Sequence, residues 1–227
     1  MSAPVFGEER VTMSKDISDD LMKRRRGEMS GQNDLILKNL EQYWQTLRHA
    51  QRLPARNDVA PSRIDDALPH AFILQRVAPG TARFRVAGQR LHDLLKMDAR
   101  GMPFSTIFLP EARDQVQALL ESAFSSPAIV SIPLLSPATI LRPALRGTVL
   151  LLPLRDSDDN TTRMLGALVT DPDTANRPRR FAINTAERIR RERIGLRLAP
   201  TPLFATPPSA RPDATVRPAL RLVVNNG

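Results

Sequence analysis

The stretch Thr148-Val149-Leu150-Leu151-Leu152-Pro153-Leu154 is apolar on both parities. Successive side chains of a strand point to opposite faces, so a strand that is apolar at odd and even positions alike needs cover on both sides. The run therefore predicts a central, buried strand over Leu145–Leu154, with a sheet built around it. Pro153 has no N–H to give to a ladder, which places it near the strand end where no donor is needed. Two more strands flank this one in sequence, Ala128–Leu135 and Arg163–Thr170. The polar loop Asp156-Ser157-Asp158-Asp159-Asn160 separates the last two.

Upstream, Ala71–Val77 reads as a strand, Pro79-Gly80 as a turn and Ala82–Ala87 as the partner strand, with Phe84 and Val86 on one face and Arg83 and Arg85 on the other. Gly88 breaks that strand. Leu91, Leu94 and Leu95 mark a short helix, Gly101 a tight bend, and Phe104, Ile107 and Phe108 an apolar patch. A longer helix follows over Glu111–Phe124, where Val116, Leu119, Leu120, Ala123 and Phe124 keep helical spacing. Ahead of all these, Ile36, Leu37, Leu40, Tyr43, Trp44 and Leu47 share one face of an amphipathic helix. It is expected to start at Asn33 as N-cap, with Asp34 favouring the positive end of the dipole, and to end near Ala50. Helix, two strands, a helical crossover and three strands predict an α+β fold: a five-stranded antiparallel sheet with helices on one face and an N-terminal flanking helix.

The two ends of the chain differ from this middle. Residues 1–32, with the run Lys23-Arg24-Arg25-Arg26, lack an apolar period and read as disordered or marginally helical. Residues 176–227 hold eleven arginines against three acidic residues, so the net charge of +9 belongs almost wholly to this end. Asn184-Thr185-Ala186-Glu187 has capping-box spacing and predicts a short basic helix near 184–194 presenting Arg188, Arg190, Arg191 and Arg193. A proline-punctuated stretch follows. The expected organisation is a domain over 33–173 and a basic, proline-rich tail over 174–227.

Local residues sharpen the fold. Trp44 on the leading helix is followed by Pro54, Arg56, Asp58 and Pro61 in the pattern Pro-x-Arg-x-Asp-x-x-Pro, then by Leu68-Pro69. Arg85, Gly88 and Leu91 follow the second strand as Arg-x-x-Gly-x-x-Leu, and Gly101 and Phe104 form Gly-x-x-Phe. In this order the motifs resemble a bacterial PAS-domain family best known from alphaproteobacteria, over roughly residues 33–173. The resemblance implies a PAS fold, a signalling or regulatory role, and a stand-alone domain without a fused kinase or output module.

The chemistry expected of such a chain is binding rather than catalysis. With no cysteine there is no disulfide, thiolate metal site or cysteinyl chromophore adduct. His49, His70 and His92 lie on different elements without metal-ligand spacing, so no metal is expected, and haem or a non-covalent flavin are the remaining cofactor options. No phosphate-cradling glycine loop or nucleophile-elbow motif occurs, and the chain is read as no enzyme. A ligand pocket between sheet and helices is expected from Phe84, Leu91, Phe104, Ile107 and Leu150. Arg56 and Asp58 read as an ion-pair and hydrogen-bond lock on an irregular segment in preference to a ligand contact. The expected partners are a signalling protein or a small molecule, with a homodimer through the leading helix as a further option. The alternative is a phosphate-directed role for the basic segment on nucleic acid or an anionic surface. No stretch of about 18 apolar residues offers a membrane span, and a cytoplasmic location is expected.

Overall fold

The computed structural model describes residues 31–49, 52–173 and 177–195. Of the segment 1–32 expected to be disordered or marginally helical, residues 1–30 lie outside the described residues and 31–32 are helical; the proline-rich stretch from residue 196 also lies outside them. Helix α1 (31–46) precedes β1 (Ala71–Ala78) and β2 (Thr81–Ala87). Helices α2 (Gln89–Leu95) and α3 (Arg113–Ser125) follow, then β3 (Ala128–Ser136), β4 (Leu145–Arg155) and β5 (Thr161–Thr170). These five strands form an antiparallel sheet in the order β2-β1-β5-β4-β3, as expected.

Two further strands were not expected. β6 (Ala182–Ile183) and β7 (Arg190–Arg193) both pair with β3, making the sheet seven-stranded. The segment Arg190–Arg193 is therefore an edge strand, not part of the basic helix its cap-like start predicts. The polar side chains of that start close a turn instead: Asn184 Nδ2 donates to Glu187 Oε1 at 2.7 Å, and Ala186 N donates to Asn184 Oδ1 at 3.2 Å. The backbone groups on the open side of β3 outcompete a helix whose every turn would crowd arginines together. Pro133 explains why the cover comes in two pieces. It lacks an N–H, so the chain leaves β3 after Asn184 N bonds Pro133 O at 2.8 Å and rejoins at Ser131.

The domain consequently runs past the expected boundary at 173. Phe181 is fully buried in the core, and Arg179 is buried with its guanidinium on Asp173 (2.6 Å) and the Pro143 carbonyl (3.0 Å).

Both faces of the sheet are covered, as the double-parity run of β4 requires. Val149 and Leu151 face inward, among Leu91, Phe104, Val116 and Leu120 from the helical crossover. Leu150, Leu152 and Leu154 face outward, beneath Leu37, Leu40 and Trp44 of α1 and Leu53, Val59 and Ile64 of the segment after it. Pro153 lies beyond Leu151, where the β3–β4 ladder ends. The apolar face of α1, which the sequence offers to a cap or a dimer seam, thus lies on the domain's own sheet. α1 already includes residues 31 and 32, so Asn33 does not cap it; Asn33 Nδ2 instead donates to Thr170 O at 3.0 Å, fastening the helix start to β5.

The β1–β2 hairpin departs from simple alternation. Ile73 pairs with Val86 and Leu74 with Phe84, leaving Arg85 as an extra residue. This bulge reverses parity, so Phe84 faces the inner core while Val86 follows Ile73 to the outer side. The expectation that Phe84 and Val86 share a face fails for that reason.

Candidate ligand site

Four of the five expected pocket residues meet. Phe84, Leu91, Phe104 and Ile107 are buried together on the inner face, whereas Leu150 lies on the outer one, because its neighbours in β4 take the inner parity. The inner space is filled by ring-to-ring packing. Phe72 and Phe84 meet edge-on at 5.3 Å between centroids, Phe84 and Phe104 at 5.8 Å, and Phe104 and Phe108 at 5.3 Å. Its walls are hydrocarbon: the buried polar residues among those described are Ser136, Arg179 and Asn184. A flavin's polar edge buried among these rings would lack side-chain hydrogen-bond partners.

The histidines do not alter this. Ala99 N donates to His92 Nδ1 at 3.2 Å, and His92 Nε2 stands 3.1 Å from Ala87 O, so both ring nitrogens are engaged. His49 is exposed, and His70 Nδ1 lies 3.1 Å from Leu168 O. Burial pushes the His70 pKa down, opposed by the Leu168 carbonyl and reinforced by Arg90. Among the described residues no group of three or more histidines or carboxylates is placed to hold a metal.

Open space lies elsewhere. A groove of about 410 Å³ runs between the irregular segment after α1 and the β1–β2 hairpin, lined by Arg56, Pro61, Ile64, Leu68, Val86 and Gly88 among others. Three motif residues, Arg56, Pro61 and Gly88, therefore converge on one cleft. Leu68 and Val86 stand at its mouth, 45% and 46% exposed. Gly88 is needed for close approach: a Cβ there would lie 2.6 Å from the Leu68 carbonyl oxygen.

Local hydrogen bonds hold the groove wall. Asp58 Oδ2 accepts from Ala55 N at 2.7 Å, closing the 3-10 turn Arg56–Asp58, and Pro61 opens the next turn, Pro61–Arg63. Ala60 N donates to the Tyr43 hydroxyl oxygen at 2.8 Å, which links the wall to α1. The lock expected of Arg56 and Asp58 is thus made by Asp58 and Tyr43. The half-buried Arg56 side chain has no hydrogen-bond or ion-pair partner among the described residues and borders the groove.

The other motif residues have structural places. Trp44 is fully buried and donates its indole N–H to Pro153 O at 3.0 Å. Pro54 O accepts from Arg155 N at 2.9 Å, and Gly101, at φ 78°, makes the bend whose N–H reaches Phe84 O at 2.7 Å. Sequence reasoning missed Ile64, Leu68 and Val86 as groove residues. The signal for the first two was present, as aliphatic residues spaced between prolines.

The basic segment is partly engaged within the domain. Arg190 pairs with Glu41 of α1 (Nη1 to Oε1 3.1 Å), and Arg191 Nη2 donates to Ser122 O at 3.2 Å. Arg188 and Arg193 have no ion-pair partner among the described residues.

With this sheet order and the motif residues in place, the family model described as "PAS domain" matches residues 34–169. The chain belongs to that PAS-domain family. No curated protein matches it in sequence. Among solved structures it is similar to one titled "Flavin Analogue Sheds Light on Light-Oxygen-Voltage Domain Mechanism", at 17% identity and TM-score 0.37, covering 49% of this chain and 83% of that one. It is also similar to the dark-state structure of the blue-light photoreceptor Aureochrome1 LOV, at 16% identity and TM-score 0.36, covering 48% and 80% of the two chains. The light-state structure of the same photoreceptor gives 15% identity and TM-score 0.35, with coverage of 50% and 89%. No helix among the described residues is long and apolar enough to cross a membrane.

Proposed function

We propose that this chain is a non-catalytic regulatory PAS protein that senses a small, largely apolar ligand in the groove bordered by Arg56. The carrying observation is the convergence of Arg56, Pro61 and Gly88 on a cleft of about 410 Å³ with Leu68 and Val86 exposed at its mouth. That volume lies in the range of small-molecule sites, which combine apolar walls with a few polar groups. Arg56, Asp65 and Gln89 supply the polar groups of the lining, and the Arg56 guanidinium favours a ligand with a carboxylate or carbonyl oxygen.

Ligand occupancy would bias the wall segment, and Tyr43 would pass that bias to α1, whose position a downstream signalling protein reads. Such coupling requires different ligand affinities in two states of the wall. The ring-packed hydrocarbon inner core offers no polar side chains to a flavin, and the absence of cysteine accords with a cytoplasmic site of action. The phosphate-directed alternative has less support, since Arg190 and Arg191 are held within the domain.

Thermal-shift screening of medium-chain carboxylates and aromatic acids against wild type, Arg56→Ala and Leu68→Asp tests this reading. A stabilising hit lost in both variants supports it. Hits that survive both, or a bound chromophore in the native purified protein, would reject it.

A further inference from the structure

We propose that the β3–β4 hairpin tip, at the opposite side of the sheet from β2, docks on an anionic lipid bilayer. Thr139 and Arg142 close the hairpin with reciprocal backbone bonds (Thr139 N to Arg142 O 2.9 Å, Arg142 N to Thr139 O 3.2 Å), leaving Ile140-Leu141 as a two-residue tip. Such tips ordinarily carry Asn, Asp or Gly. Here they carry two aliphatic side chains, Ile140 at 104% and Leu141 at 69% of their reference surface. The core gains nothing from residues in that position, so their chemistry points outward.

The surroundings supply the complementary charge. Behind Leu141 lies a groove of about 500 Å³ with Leu95, Met97 and Leu109 on its walls and Arg142, Arg177 and Arg180 along it. No carboxylate is among its lining residues. Arg142 Nη1 donates to Pro178 O at 2.7 Å, which holds the hairpin against the 177–180 segment. Arg177 and Arg180 are exposed and have no ion-pair partner among the described residues.

Protruding aliphatic groups ringed by cations match a bilayer interface, where acyl chains receive the tip and anionic headgroups meet the guanidinium groups. A protein partner would need a pocket shaped to a convex tip. A fluid bilayer needs none, and this favours lipid over an acidic protein surface.

The test uses the full chain and vesicles of phosphatidylcholine with and without phosphatidylglycerol. Because the chain lacks cysteine, Ile140→Cys accepts a single environment-sensitive fluorophore. The label is expected to shift to the blue, and to be quenched by brominated acyl chains, only on the anionic vesicles. Replacing Ile140 and Leu141 together with Ser lowers the bound fraction in co-sedimentation by roughly tenfold. Arg177→Glu with Arg180→Glu does likewise and reduces the salt dependence. Residues 196–227 are present in every variant, so their charge is common to all and the comparison isolates the tip. Both sets of changes are at exposed positions, and unchanged melting temperatures verify the fold. Serine variants that sediment like wild type, a label that stays unshifted, equal binding to neutral vesicles, or the same blue shift with polyglutamate would each overturn the proposal.

Discussion

Trp44 shows how one side chain can fix the position of a whole helix. Its indole is fully buried against the outer face of the sheet, and its N–H meets the carbonyl of Pro153. Trp44→Phe keeps most of the apolar contact but strands that carbonyl, at a cost of about 1–3 kcal/mol in chemical denaturation. His70 gives a second prediction at this scale. Its folded-state pKa lies below the ordinary value, chiefly because burial disfavours the charged ring. The unfolded chain therefore binds more protons between the two pKa values, and stability rises with pH across that window. The contribution is complete above the unfolded value of about 6.5 and is lost as pH falls from there through the folded value. His70→Gln should flatten that limb of the stability profile in urea titrations at successive pH values; an unaltered slope would show that other groups set it.

The strands show which parts of the architecture could be read from sequence. The double-parity run of β4 announced a strand covered on both faces, and both covers are present. Five strands, the helical crossover and the motif residues were legible because each rests on periodicity or on a punctuating glycine or proline. The bulge at Arg85 was not, since an inserted residue leaves the local composition unchanged while turning Val86 to the other face. Nor was β7: Arg-Arg-Glu-Arg fits an edge strand as readily as a helix, and only the unpaired side of β3 decides between them. The candidate groove was half legible. Its motif residues were named, but their convergence depends on how the proline-rich segment lies across the hairpin. Two stability measurements follow at this level. Phe181→Ala should cost about 3–5 kcal/mol, a loss that a residue in a solvated tail would not produce. Gly166→Ala should cost about 1–3 kcal/mol, because the new methyl group would overlap the Phe72 ring and come within 2.9 Å of Leu150 O.

At the scale of the whole molecule, the sheet separates two compartments with different tasks. The inner one is a dry hydrocarbon core with ring-on-ring packing, suited to rigidity. The outer one joins α1 to an irregular wall through few polar contacts, among them the Tyr43 hydroxyl, which meets both Ala60 N and Asp58 O. Tyr43→Phe should leave the inner core intact and accelerate amide exchange of Ala60 roughly tenfold, since Ala60 N loses its acceptor. Equal protection in both proteins would mean that α1 and the groove wall are held together by packing alone.

The division of β3's outer neighbour into β6 and β7 bears on how the protein behaves in a crowded solution. An uninterrupted strand there would present a long row of free donors and acceptors to any copy arriving side by side, the geometry that seeds fibrils. The break opposite Pro133 shortens that row, and Arg191 and Arg193 in the last four-residue piece, whose Arg190 is paired with Glu41, set like charges against an incoming twin. Resistance to runaway self-association is thus built into the same segment that completes the sheet, and added salt is the condition that would erode it first.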